Sequence, residues 1–151
     1  MEQTQSVELD QELLKIVTFQ VNDEEYGTNI SLVNSIEKIM EITRVPNVSE
    51  YIVGVMNLRG NVIPIVDLRK RFGLPAKEFD DETRIIVLQL KEIEVGIVVD
   101  SCSSVVDINK GDIEPPPTVS GDVDTSFILG AVKIDRRLII LLDMEETIKN
   151  V

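Results

Sequence analysis

The chain repeats itself, and the repeat limits what it can fold into. Lys15 to Val21 lies over Arg84 to Leu90 at an offset of 69 residues, and Glu25-Tyr26-Gly27 continues onto Glu94-Val95-Gly96. Further along, Ile52-Val53-Gly54 falls on Ile128-Leu129-Gly130, and Val62 to Asp67 on Leu138 to Asp143, now at an offset of 76. The change in offset puts about seven extra residues into the second copy, in the stretch between Pro115 and Ser126. A duplicated all-β unit of roughly 60–70 residues points to paired small barrels and away from a solenoid. The expected organisation is a flexible tail over 1–12, a first barrel repeat over 13–79 and a second over 80–151. Strands are free to exchange between the two.

Several function classes are excluded by what is missing. The sequence has no His, which removes the commonest general base, the commonest metal ligand and any phosphohistidine step within the chain. Cys102 is the single cysteine, so neither an intrachain disulfide nor a thiolate metal cluster can form. A formal net charge of −12 repels nucleic-acid backbones and anionic lipid. Four Phe, two Tyr and no Trp leave little to stack on bases. No apolar run reaches the roughly 18–20 residues that span a bilayer. Met1 to Asp10 is polar and acidic, unlike a signal peptide, so the cytoplasm is the expected compartment.

Along the chain, Val17, Phe19 and Val21 alternate with Thr18 and Gln20, which predicts a half-buried strand. Asn22-Asp23-Glu24 is a turn, and the returning strand starts at Glu25. From Ile30 onward the spacing predicts a short helical turn near 31–34, then a strand running to Glu41. Val53 to Leu58 and Asn61 to Val66 flank Arg59-Gly60, a tight hairpin signal in which Gly supplies positive φ. Pro64 cannot donate to a ladder and is expected at an edge or a bulge. Asp67 caps a short helix that stops at Gly73, and Asp143 caps a final helix with Glu146 completing a capping box. Pro75 to Glu82 is the linker between the copies.

An Arg at a hairpin tip projects a planar, multi-donor group suited to a partner's carboxylate. On the residues alone, a solubilising turn Arg is the commoner role. The second copy reads Lys133-Ile134-Asp135-Arg136 where the first reads Asn57-Leu58-Arg59-Gly60, so the copies diverge where they face outward. The carboxylate groups Asp23-Glu24-Glu25, Asp80-Asp81-Glu82 and Glu145-Glu146 lack the spacing of a Ca²⁺ loop, so no metal is expected. Asp67 and Asp143 read as caps, not as a catalytic pair. Cys102 has no His to activate it. No Gly-rich phosphate loop occurs, and no cofactor is expected.

Four stretches together resemble the chemotaxis coupling proteins of the CheW family. They are Glu24-Glu25-Tyr26-Gly27, Val53 to Gly60 with its Asn-Leu-Arg-Gly, Val62 to Arg69, and Val95 to Asp100. The resemblance runs from about Leu14 to Ile148. It implies a mainly β fold of two five-stranded SH3-like β-barrels with short helices, including a C-terminal one. It also implies a non-enzymatic adaptor between the regulatory domain of the histidine kinase CheA and the cytoplasmic tips of chemoreceptors, recruited to membrane receptor arrays. By the same resemblance, receptor contact falls on Val33, Gly54, Asn57, Leu58 and Arg59, and kinase contact on the region of Tyr26, Thr28 and Ile30. Two other readings are a carboxylate-dependent small hydrolase and an isolated regulatory domain of a CheA-type kinase. An adaptor needs exposed apolar patches rimmed by charge, whereas a hydrolase needs a cleft with raised-pKa carboxylates.

Overall fold

A computed structural model describes residues 12–116 and 124–149. The expected tail over 1–12 lies outside these residues up to position 11, as does most of the inserted stretch, at 117–123. The first half contributes β1 (Leu13–Val21), β2 (Glu24–Asn29), β3 (Val33–Lys38), β4 (Ile52–Leu58) and β5 (Asn61–Asp67), followed by a helical turn, α1 (Leu68–Arg71). The second half contributes β6 (Arg84–Leu90), β7 (Ile93–Val99), β8 (Ser101–Asn109), β9 (Ile128–Ile134) and β10 (Arg137–Leu142), followed by α2 (Met144–Thr147). The fold is mainly β, and its halves are equivalent strand for strand.

The two five-stranded sheets run β8-β1-β2-β10-β9 and β3-β6-β7-β5-β4. Each takes two strands from one half of the sequence and three from the other. Exchanging the halves turns one order into the other, so the molecule has an internal two-fold. Four pairings join the halves: β2 with β10 and β5 with β7 are parallel, while β1 with β8 and β3 with β6 are antiparallel, as are the pairs within each half.

Each sheet curls until its free edges meet. Past the end of β3, Thr43 pairs with Val55 of β4 through two backbone hydrogen bonds of 2.8 Å. Past β8, Glu114 pairs with Ala131 of β9 at 2.8 and 2.9 Å. The residue beside each seam is a glycine. A Cβ on Gly54 would lie 2.3 Å from the Thr43 carbonyl oxygen, and one on Gly130 would lie 2.5 Å from that of Glu114. Barrel closure therefore demands glycine at both positions.

Three apolar clusters fill the fold. One barrel interior holds Met56, Ile63, Ile65, Ile85, Val87 and Val98, and the other Ile16, Ile108, Val132, Ile139 and Leu141. The largest cluster lies between the barrels, with Val17, Phe19, Tyr26, Phe72, Ile86, Leu88, Ile97 and Leu142 among its members. Thus β6 is buried on both faces: Ile85 and Val87 enter its barrel while Ile86 and Leu88 face the other. That double burial explains its unbroken apolar run.

Several local expectations need correction. β1 is not simply half-buried: Thr18 is fully enclosed because β8 lies alongside, and its Oγ1 sits 3.1 Å from Ser104 Oγ. The helical turn after β2 is a 3₁₀ turn over Ile30–Leu32, and the strand that follows stops at Lys38, not Glu41. Pro64 lies in β5, which is an interior strand. Val55, opposite Pro64, directs its own N–H and C=O away to Thr43, so the missing Pro64 donor points toward β7. The β5–β7 ladder begins only at Ile65, so no ladder bond is lost. Asp143 does cap α2 through Glu146 N–H at 3.2 Å, but its own N–H donates to the Phe127 carbonyl, which leaves no reciprocal bond for the Glu146 side chain.

Candidate functional site

The β4–β5 hairpin ends in a turn built by four consecutive residues, Asn57 to Gly60. Arg59 has φ +53 and Gly60 φ +87, so both central residues are left-handed, the geometry of a two-residue turn that follows strand twist. Asn57 Oδ1 accepts the Gly60 N–H at 3.0 Å and holds the loop closed. Leu58 turns inward and packs half-buried against the barrel core. With Leu58 anchored and Asn57 bracing the turn, the Arg59 side chain is left 75% exposed. Its nearest charge is Glu37 of β3, 3.9 Å from Nη2 and only 19% exposed.

Glu37 was not among the residues singled out from the sequence. β3 alternates half-buried and exposed positions, but its register shifts between Val33 and Ser35: Ser35 and Glu37 stand opposite Val87 and Ile85, which enter the barrel, while Val33 stands opposite Leu88 on the inter-barrel side. The sequence carries no alternating signal there, since Ser35 and Glu37 turn inward while Ile36 is exposed. The remaining residues of the expected receptor set are placed differently from one another. Val33 is half-buried against the inter-barrel cluster, and Gly54 is buried beneath Thr43 at the barrel seam.

In the expected kinase region, Tyr26 is 1% exposed and its ring stacks on Phe19 at 6.1 Å and tilts against Phe72 at 5.5 Å. Thr28 is also buried, whereas Ile30 is exposed at the start of the 3₁₀ turn. The turn is capped by Asn29, whose Oδ1 accepts the Ser31 N–H at 2.9 Å. The structure therefore groups Asn57, Leu58 and Arg59 on one hairpin, with Val33 and Glu37 on the adjoining edge strand. Ile30 leads into that same strand.

The equivalent tip of the second copy has one left-handed non-glycine residue, Asp135, and no Asn brace at the position of Asn57, which is Lys133. Nearby, Arg137 pairs with Glu25 and holds its carboxyl below the usual range by hydrogen bonding. Burial pushes the Cys102 thiol up, against a smaller opposing effect of Arg84, so it is held as the thiol. Among the described residues, no three His, Cys, Asp or Glu come together as a metal site. What the hairpin offers is recognition: a guanidinium fork for an anion beside aliphatic surface.

Comparison with known proteins points the same way. The family described as the CheW-like domain matches residues 15–151. The chain is 46% identical over 130 residues to the chemotaxis protein CheW of Bacillus subtilis, covering 85% of this chain and 83% of that one. It is 37% identical over 131 residues to the chemotaxis protein CheW of Rhizobium meliloti, covering 87% and 84%. Among solved structures, the scaffolding protein TtCheW from Thermoanaerobacter tengcongensis superposes with a TM-score of 0.80 at 37% identity, covering 88% of this chain and 86% of that one.

Proposed function

The chain belongs to the CheW-like domain family, and from that premise we propose that it joins a CheA-type histidine kinase, through the kinase's regulatory domain, to the cytoplasmic tips of chemoreceptors. It is a scaffold of chemotaxis signalling and not an enzyme. Its effect on a kinase then comes from assembly, since phosphoryl transfer needs groups that stay with the kinase. In this reading the protein works in the cytoplasm and gathers at receptor arrays. No helix among the described residues is long and apolar enough to cross a membrane.

The observation that carries the reading is the braced β4–β5 tip. A receptor tip is a helical hairpin, and such a partner is gripped by a few aliphatic side chains with a charged group at the rim. Arg59 supplies the charge, with Leu58 of the same hairpin and Val33 at the start of β3 as the aliphatic contacts. Asn57 sets the turn, and Gly54 fixes the base of the hairpin on its barrel. On the kinase side, Ile30 supplies surface, while Tyr26 and Thr28 hold β2 from within.

The test is Arg59→Glu. A like charge facing a partner carboxylate costs several kcal/mol, so receptor-dependent kinase activation should fall by at least about ten-fold. Fold and kinase binding should survive, the latter at roughly low-micromolar affinity for a signalling contact of ordinary size. Normal activation by the variant would remove the hairpin from the receptor interface.

A further inference from the structure

The internal two-fold relates Tyr51 to Phe127, Asp67 to Asp143 and Arg71 to Thr147, each pair 76 residues apart. The first two pairs behave as equivalents. Asp67 N–H donates to the Tyr51 carbonyl at 2.9 Å and Asp143 N–H to the Phe127 carbonyl at 2.8 Å, and each Asp caps the helix that follows. The third pair does not. Arg71 Nε donates to the carbonyl of Thr147, its own counterpart, and Nη2 donates to the Lys149 carbonyl at 2.8 Å.

A residue bonded to its own equivalent lies at the two-fold. There the Arg71 guanidinium is 4.7 Å from the centroid of the Tyr51 ring and 5.1 Å from that of Phe127, which are also equivalents of each other. The slot takes one guanidinium, and a second Arg in place of Thr147 would bring like charge into the same space. The two copies have thus diverged in a complementary way, with a planar cation on one side and free helix-end carbonyls on the other. Phe72 anchors the base, buried against Tyr26 at 5.5 Å and Phe127 at 6.1 Å. Because α1 follows β5 of one sheet and α2 follows β10 of the other, this contact ties one barrel to the other.

We propose that Arg71 is a positioning residue that locks the two barrels at one mutual orientation by clasping the end of α2. The functional part of this rests on the adaptor reading, because an adaptor must present two partner surfaces at a fixed angle. The clasp gives Arg71 an effect on assembly although it touches neither expected contact set.

The experiment measures the barrel-to-barrel distance directly. Nitroxide labels go on Asn61→Cys and Lys133→Cys, one per barrel, in a Cys102→Ser background, and the separation is read by double electron–electron resonance. The parent should give a narrow distribution, and Arg71→Ala one at least two-fold broader. Arg71→Lys keeps the charge and the stem but loses the two-donor fork, so it should also broaden, and it decides the matter if the Ala variant does not fold. Unlabelled Arg71 variants should bind a receptor-tip fragment and a kinase regulatory domain singly within two-fold of wild type. Three-component kinase stimulation should nevertheless fall at least five-fold. Distributions as narrow as the parent's in the folded variants overturn the clasp. If the wild-type protein binds neither partner, the adaptor reading fails, and the distance measurement still decides the clasp.

Discussion

Two buried or half-buried aspartates respond to pH in opposite directions. Burial pushes the Asp100 carboxyl up, but the Arg69 fork, with Nε at 2.9 Å and Nη2 at 2.7 Å, and the Asn22 N–H at 2.8 Å outweigh it and hold the group below the usual range. A depressed folded pKa gives stability that is present above the unfolded value, about 4, and lost as pH falls through the folded one. Asp67 is raised by burial despite accepting N–H bonds from the start of α1. Folding therefore favours its protonated form, and stability is lost as pH rises from the unfolded value through the raised folded one. Asp100→Asn should cost roughly 1–3 kcal/mol at neutral pH, because Arg69 loses its anion, and should flatten the acid limb of the stability curve. Asp67→Asn keeps a good cap and should remove the opposing slope. Urea midpoints between pH 3 and 7 distinguish the two; parallel slopes in both variants would contradict the assignment.

At the scale of elements, the glycines of the β4–β5 hairpin differ in why they are needed. Gly60 has open space around its Cβ position but φ +87, so Gly60→Ala should cost about 1–2 kcal/mol of left-handed strain and leave the barrel closed. Gly54 is limited by the Thr43 carbonyl, and Gly54→Ala should cost about 1–3 kcal/mol while parting the seam. Hydrogen exchange at the Thr43 and Val55 amides reads the difference, rising sharply only in Gly54→Ala. Equal protection in both variants would mean that the seam is not where the barrel closes. The hairpin itself was legible in the sequence, because Arg59-Gly60 between apolar runs encodes a local turn. The burial of Thr18 and the tolerance of Pro64 were not, because both depend on which strand lies alongside. Glu37 stayed hidden for a related reason: its role comes from barrel curvature, which brings β3 to the β4–β5 tip.

The molecule as a whole is held together by exchange. The duplication was visible as matching residues at two offsets, while the count of five strands per barrel came from the family resemblance. Which strands share a sheet could not be read from it, since β1 pairs equally well in principle with any apolar neighbour, and only long-range contacts select β8. Fragments 13–79 and 80–151 should each lack cooperative unfolding alone, because each sheet needs strands of both. Mixed, they should recover a native circular dichroism spectrum and a single melting transition. A 13–79 fragment that melts cooperatively by itself would show that exchange is dispensable.

The parallel pairing of β2 with β10 also sets a timetable for the newborn chain. Glu25 and its ion-pair partner Arg137 are 112 residues apart, which at ribosomal speeds separates their emergence by roughly 6–22 s. Through most of that interval the β1–β2 hairpin has both flanks bare; β8 is made in time to cover β1 before it ends, and the β2 flank waits for β10. Those flanks are open edges of the kind that recruit other strands. The same architecture that makes the finished protein one unit therefore makes its first hairpin a ward of whatever shields nascent chains in the cell.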